Sequence, residues 1–243
     1  MRHYNRGKRF LLRSVALVAI ALSGKLTHAA QVAVGFDSTR FWNTGTGQGV
    51  YGWQFTANSE IQVLTLGIYD NPGIYGGGFV GDGLVEPHVI SIWEVADHSA
   101  PLLSAATPVG TTAPLSDGFR YVSVSPLVLH SGHQYVISAS YPNVSVPVNP
   151  NKDWTAGDIN NPGFVLTVGT GLTFGGYRSI AGYSDTPLFP DYYVPGQQYG
   201  FGPNFSYSVV PEPSSLALVG IAASVLLRTK NTGRFRRRSR GFR

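Results

Sequence analysis

The stretch Gln134-Tyr135-Val136-Ile137-Ser138-Ala139-Ser140-Tyr141 decides the fold. Apolar residues stand at every second position of its second half, and polar residues fill the positions between them. Because successive side chains of a strand point to opposite faces, this period of two predicts a strand with one face in a core. The other face, with Ser138 and Ser140, is predicted to face water.

Similar short apolar runs recur on both sides of this stretch, separated by clusters of Gly, Asn, Asp and Pro. The 30 glycines, 16 prolines and 13 tyrosines favour strands and turns over helices. An antiparallel two-sheet sandwich, Ig-like or jelly-roll-like, is the economical all-β fold for such a pattern. The candidate strands are 32–36, 50–55, 61–69, 88–95, 119–125, 134–141, 164–168 and 205–209.

The charge of the chain is divided between its ends and its body. The formal net charge is +5, but fourteen of the 18 Lys and Arg residues lie within residues 1–30 and 228–243. Residues 31–209 carry four basic against twelve acidic residues, a net charge of −8. An acidic body argues against a nucleic-acid partner. The absence of cysteine excludes disulfides, thiolate metal sites and a cysteine nucleophile.

Residues 1–30 have the pattern of a secretory signal peptide. A basic start is followed by an apolar core over 14–22 and a small-residue exit at Ala29 and Ala30. This apolar core is shorter than the roughly 20 residues of a membrane span. We therefore expect cleavage by signal peptidase near Ala29 or Ala30 and export of the domain 31–209.

Residues 210–243 have three parts in a fixed order. The tripeptide Pro211-Glu212-Pro213 comes first, an apolar segment over 214–227 follows, and eight basic residues begin at Arg228. As a single helix the apolar segment would be roughly 21 Å long, and snorkelling arginines with local thinning would help it to span the roughly 30 Å core. The basic end favours the cytoplasmic side, which leaves the tripeptide outside.

This order resembles the PEP-CTERM sorting signal of Gram-negative bacteria, although the apolar run is short and the basic tail long. The resemblance implies recognition by an exosortase, transient anchoring in the inner membrane and cleavage near 211–213. It also implies delivery to the cell surface, the outer envelope or the extracellular exopolysaccharide matrix. The residues that carry it are Pro211, Glu212, Pro213, Arg228, Arg236, Arg237 and Arg238.

The body is similar to a family of exported β-sandwich domains of unknown function that often accompany this signal. That resemblance implies a fold and no activity, so no catalytic residue follows from it. It rests on the segments 52–55, 81–93, 118–122, 135–137 and 201–205.

Aromatic side chains in loops are candidate glycan contacts. Trp154, Tyr192 and Tyr193 stand in turn-rich segments, and flat rings complement the apolar faces of pyranoses. Trp53 and Trp93 stand in alternating strands and are expected in the core.

A loop rich in glycine is a candidate calcium site. Asp82 and Glu86 supply oxygen ligands between glycine turns, and Asp37, Asp70 or Asp153 would complete the shell. Tight-turn chemistry explains Asp82 equally well. We expect no other cofactor.

Enzymatic motifs are scarce in the sequence. There is no Gly-x-Ser-x-Gly elbow and no His-Glu-x-x-His pair. Glu60, Glu86 and Glu94 are the candidates for a glycosidase carboxylate pair, and solvated strand ends are the alternative. We expect a non-enzymatic surface or matrix protein that binds exopolysaccharide. The alternative is a secreted envelope hydrolase acting on glycans, and a further one is that the tail stays as a permanent anchor.

Overall fold

The computed structural model describes residues 29–36, 49–70, 83–142, 153, 155, 165–182 and 186–211. These residues form thirteen strands and no helix, and His28–Val210 is one compact unit. None of the described residues belongs to a helix with the length and apolarity required to cross a bilayer. The strands are β1 Gln31–Val32, β2 Val34–Phe36, β3 Gly49–Ala57, β4 Ile61–Tyr69, β5 His88–Glu94, β6 Leu103–Thr107, β7 Leu115–Ser116, β8 Phe119–Leu129, β9 Gln134–Tyr141, β10 Leu166–Val168, β11 Leu172–Ala181, β12 Tyr192–Pro195 and β13 Pro203–Val209.

The strands form two large antiparallel sheets and one small ladder. One sheet has the order β1-β13-β4-β8-β7, the other has the order β12-β11-β3-β9-β5-β6, and β10 pairs with β2. Side chains of both large sheets meet in one apolar cluster. The expectation of an all-β antiparallel sandwich is confirmed for the described residues.

The core is centred on Trp53 of β3. Its ring stacks on Phe205 of the opposite sheet at 6.1 Å between centroids, and its Nε1 donates to Pro203 O at 2.9 Å. The adjacent Gly52 faces away from the core, and a Cβ there would lie 2.0 Å from Ile137 O of β9. Only glycine therefore lets β3 and β9 approach this closely.

Eight of the strands pair in a nested order. In chain order these eight are β1, β3, β4, β5, β6, β8, β9 and β13. The outermost two pair with each other, β1 with β13, and the pairs inside them are β3 with β9, β4 with β8 and β5 with β6. A long hairpin folded over on itself produces such nesting. The strands β11 and β12 extend the six-stranded sheet beyond β3.

The sandwich has two unlike ends. At the end that we call the turn end, β3 and β4 are joined by a short turn, and Gly132 N donates to Ala57 O at 2.7 Å. At the opposite end, the loop end, Gly49 lies opposite both Tyr141 and Ala181, and Tyr69 lies opposite Phe119. The long connections from β4 to β5 and from β9 to β10 start there.

Four strands were not predicted, namely β6, β7, β11 and β12. In β11 the alternation is broken by Gly175-Gly176, where the ladder with β3 shifts register and Gly176 has a φ of 146°.

The prediction that Ser138 and Ser140 of β9 face water is wrong. Trp93 Nε1 donates to Ser138 Oγ at 3.0 Å, and both serines are buried.

Candidate functional site

The loop end contains a buried ion pair. Asp70 follows β4 directly, and Arg120 Nε of β8 donates to Asp70 Oδ2 at 2.5 Å. Arg120 Nη1 also donates to Ala113 O at 2.8 Å and Thr111 O at 3.2 Å, while Gly83 N donates to the Asp70 carboxylate. Burial raises the pKa of Asp70 above its ordinary value, and the hydrogen bonds from Arg120 and Gly83 offset part of that effect. The pair fastens the chain after β4 to β8.

A second buried pair joins His88 of β5 to Asp153. His88 Nδ1 lies 2.8 Å from Ser140 O, and Nε2 lies 3.1 Å from Asp153 Oδ2. A carbonyl oxygen only accepts, so Nδ1 carries a proton, and another proton lies between Nε2 and the carboxylate. Asp153 Oδ2 also accepts from Val85 N at 2.8 Å and Glu86 N at 3.4 Å. Asp153 therefore holds the chain before β5 in place.

Tyr141 connects this pair to the aromatic residues of the loop end. Its ring centroid lies 4.8 Å from that of His88. Burial, together with the carboxylates of Asp153 and Glu86, raises the pKa of Tyr141 well above its ordinary value. Its phenol therefore stays neutral at physiological pH and cannot act as a base or nucleophile.

Further tyrosines continue from Tyr141 in edge-to-face contacts. Tyr141 contacts Tyr51 at 5.5 Å between centroids, and Tyr177 contacts Tyr199 at 4.9 Å and Tyr192 at 6.5 Å. Burial is the main cause that raises the pKa of Tyr177, to about 12, and it also raises the pKa of Tyr51. Neighbouring phenols, Tyr199 among them, raise both pKa values further. We call Tyr51, Tyr177, Tyr192 and Tyr199 the tyrosine row. Tyr192 is its most exposed member, with 62% of its surface accessible.

The outer face of the six-stranded sheet carries a buried arginine. Arg178 donates through Nη2 to Gln54 Oε1 at 2.6 Å, and its Cζ lies 4.4 Å from the Tyr193 ring centroid and 5.3 Å from that of Phe189. Tyr193 OH donates to Gly175 O at 2.9 Å. Two rings therefore lie within cation–π distance of the guanidinium. Tyr193, a predicted glycan contact, is half-buried in this cluster, whereas Tyr192 beside it is exposed. Both were expected in a loop, but they lie in the strand β12.

Of the two residues predicted to bind calcium, Asp82 and Glu86, the structure describes only Glu86. Glu86 is buried, with 3% of its surface accessible, and Asp82 lies outside the described residues. Asp153 Oδ1 is buried and has no hydrogen-bond partner among the described residues. Within that part of the chain, no three His, Asp or Glu side chains are arranged to hold a metal ion. The calcium site stays a prediction.

The candidate hydrolase carboxylates lie at opposite ends of the sandwich. Glu94 lies 2.6 Å from His133 Nδ1, and Glu60 lies 3.5 Å from His130 Nδ1, both at the turn end. Glu86 precedes β5 at the loop end, and the six residue steps of β5 span roughly 20 Å. Glycosidase carboxylates are about 5–10 Å apart. Glu86 therefore does not pair with Glu94.

The remaining predicted site residues fall at or beyond the limit of the description. Pro211 is described and follows the end of β13 by two residues. Trp154 lies outside the described residues. The same holds for Glu212, Pro213, Arg228, Arg236, Arg237 and Arg238.

Two arginines of the buried clusters were missed by sequence reasoning. Arg120 and Arg178 each stand in a predominantly uncharged strand of an acidic body that has only four basic residues. A lone cation in such a strand indicates burial with a partner, because an unpaired buried charge is too costly. That signal was present, but the partners Asp70 and Gln54 are distant in sequence.

No family model matches the chain, and no curated protein matches it.

Proposed function

We propose that this chain is an exported surface or matrix protein, sorted by an exosortase and binding exopolysaccharide without catalysis. The proposal is supported by the positions at which the folded unit begins and ends in the sequence. The strand β1 starts at Gln31, one residue after the predicted signal-peptidase site, and β13 ends at Val209, two residues before Pro211. Removal of both terminal segments would leave every strand in place.

The folded unit begins and ends at the same end of the sandwich. Gln31 lies opposite Tyr207, and Val210 N donates to Glu60 O at the turn end at 2.8 Å. The nine-residue strand β3 separates the two ends by about 25 Å. The residues next to both proposed processing points are therefore remote from the loop end.

The strand order supports the jelly-roll alternative for the finer fold class. Nested pairing of eight strands across two sheets is the arrangement of a double-sheet jelly roll, an architecture found in lectin domains. An Ig-like sandwich groups its strands differently, with the first two and the fifth and fourth in one sheet. The single apolar helix after Pro213 and the signal peptide remain part of the proposal.

The proposed partners follow from the terminal signals and the charges. Signal peptidase, exosortase and, transiently, the inner membrane act during export, and exopolysaccharide is the partner afterwards. Arg120 and Arg178 are the basic residues among those described, and both are buried and hydrogen-bonded. A surface without exposed Lys or Arg in this part of the chain disfavours nucleic acid.

The mass of the mature protein from the exporting cell, with its cell fraction, tests the sorting proposal. We expect a chain that starts near residue 30, ends near 211–213 and is found at the surface or in the matrix. A chain that ends at Arg243 in the inner membrane would instead identify the tail as a permanent anchor.

Retention on exopolysaccharide tests the binding proposal. The mature protein should bind immobilised exopolysaccharide of the exporting cell and release no reducing sugar from it. Release of sugar that is lost in both Glu60→Gln and Glu94→Gln would favour the alternative, a secreted envelope hydrolase.

A further inference from the structure

The tyrosine row lies near the β12 edge of the six-stranded sheet. Tyr192 belongs to the edge strand β12, opposite Ser179 of β11, and Tyr177 lies opposite Val194. These pairs put Tyr192 and Tyr177 on one face of the sheet. Tyr51 and Tyr199 are half-buried beside them, so the row changes from buried to exposed toward Tyr192.

The row is held in place before any ligand arrives. Tyr51 is packed against the buried Tyr141, and Tyr177 makes edge-to-face contacts with Tyr199 and Tyr192. On the other side of β12, Tyr193 is fixed by Arg178. Rings that are already ordered lose little side-chain entropy on binding.

Phenol rings suit a ligand that is both apolar and rich in hydroxyls. The ring face packs on C–H surfaces, and the hydroxyl both donates and accepts a hydrogen bond. A hexose offers C–H groups on its ring face and hydroxyls around its edge. A purely apolar partner that covered the exposed Tyr192 would offer its hydroxyl no hydrogen bond, which carries a cost.

The charges around the row favour a neutral ligand. The two described Lys or Arg residues, Arg120 and Arg178, are buried in contacts of their own. Asp191 is exposed, but it interacts with Arg178 on the other side of β12. An anionic polymer would thus meet no exposed Lys or Arg in the described residues, whereas a neutral hexose requires none.

We infer that the tyrosine row is a glycan subsite that binds neutral hexose units of a polysaccharide, with Tyr192 as its exposed stacking residue. The inference rests on the proposed function and names the ligand class for it.

The test uses the exopolysaccharide of the exporting cell, separated by anion exchange into a neutral and an acidic fraction. The mature wild-type protein and the variants Tyr192→Ala, Tyr192→Phe and Leu115→Ala are titrated with each fraction. Leu115 is the matched control, since it is 44% exposed but lies in β7 at the edge of the other sheet. Thermal unfolding of each variant establishes that it is folded.

We expect wild type to bind the neutral fraction and Tyr192→Ala to bind it about tenfold more weakly, through loss of one stacking contact. Tyr192→Phe keeps the ring and should stay within about threefold of wild type, as should Leu115→Ala. Equal binding by Tyr192→Ala and wild type overturns the inference but leaves the proposed function standing. Preference for the acidic fraction also overturns it. Binding to neither fraction removes both the inference and the binding part of the proposed function, while export is judged separately from the mature mass.

Discussion

The two ends of the sandwich carry similar histidine–carboxylate contacts in opposite surroundings. At the turn end, His133 lies 2.6 Å from Glu94, and the two side chains are 50% and 25% exposed. At the loop end, His88 lies 3.1 Å from Asp153, and their exposures are 0% and 1%. The exposed contact is the shorter one, but water and salt screen it. Distance alone therefore does not rank these pairs, and burial does.

The pairs at the two ends also differ in what they hold in place. The turn-end pairs lie beside short turns that backbone hydrogen bonds already define. The loop-end pairs hold residues 83–86 and Asp153 against the sheets where backbone ladders have ended. At the loop end, polar side chains hold the connecting segments in position, as the backbone hydrogen bonds of short turns do at the turn end.

Removal of Arg120 should give the largest effect. The variant Arg120→Met leaves the Asp70 carboxylate buried without its main partner, and we expect a loss of about 3–5 kcal/mol in the free energy of unfolding. Urea unfolding of the purified protein measures it. If the variant does not fold, the double variant Asp70→Asn/Arg120→Met should recover most of the loss, and no recovery would contradict an ion-pair origin.

The same variant should have a distinctive pH dependence. Burial already raises the pKa of Asp70, and loss of the Arg120 hydrogen bond raises it further. A raised pKa in the folded state contributes stability below the unfolded value, and that contribution is lost as pH rises. The deficit of Arg120→Met should therefore be smallest near about pH 4 and grow toward about pH 7. A deficit independent of pH would mean that lost packing, not the carboxylate, causes it.

Removal of Asp153 should give an intermediate effect. In Asp153→Ala, the amides of Val85 and Glu86 lose their acceptor, and His88 loses its partner. We expect a cost of about 2–3 kcal/mol and faster hydrogen exchange at these two amides. Unchanged exchange there, measured beside a strand amide such as Ile137 as an internal reference, would show that Asp153 does not hold the segment.

Removal of the turn-end pair should give the smallest effect. A double-mutant cycle with Glu94→Ala and His133→Ala should give a coupling energy of at most about 1 kcal/mol, decreasing with added salt. A coupling as large as the loss in Arg120→Met would remove the contrast between the two ends.

The turn end was more predictable than the loop end because local patterns define it. The strands β4 and β9 have the bounds predicted from alternation, 61–69 and 134–141. The turn between Leu129 and Gln134 follows from Ser131-Gly132, since glycine is a strong turn signal. At such sites, neighbours in sequence are also neighbours in space.

The loop-end site depended on contacts that no local pattern encodes. Arg120 and Asp70 are 50 residues apart, and His88 and Asp153 are 65 apart. The row formed by Tyr51, Tyr177, Tyr192 and Tyr199 depended on β11, whose glycine bulge interrupts the alternation that would have revealed it. Of that row we predicted Tyr192 as a glycan contact, from a loop position, whereas it lies in the edge strand β12.

Contacts between the N-terminal strands and the last strand determine how early the sandwich can fold. Val34 N donates to Asn204 Oδ1 across 170 residues of sequence, and Trp53 stacks on Phe205. A chain emerging N-terminus first has neither partner until nearly all of it has been synthesised, and such distant contacts form slowly. In the export that we propose, this delay would be useful, because translocation through a narrow pore requires an unfolded substrate. The contacts that close the sandwich thus depend on residues made near the end of synthesis.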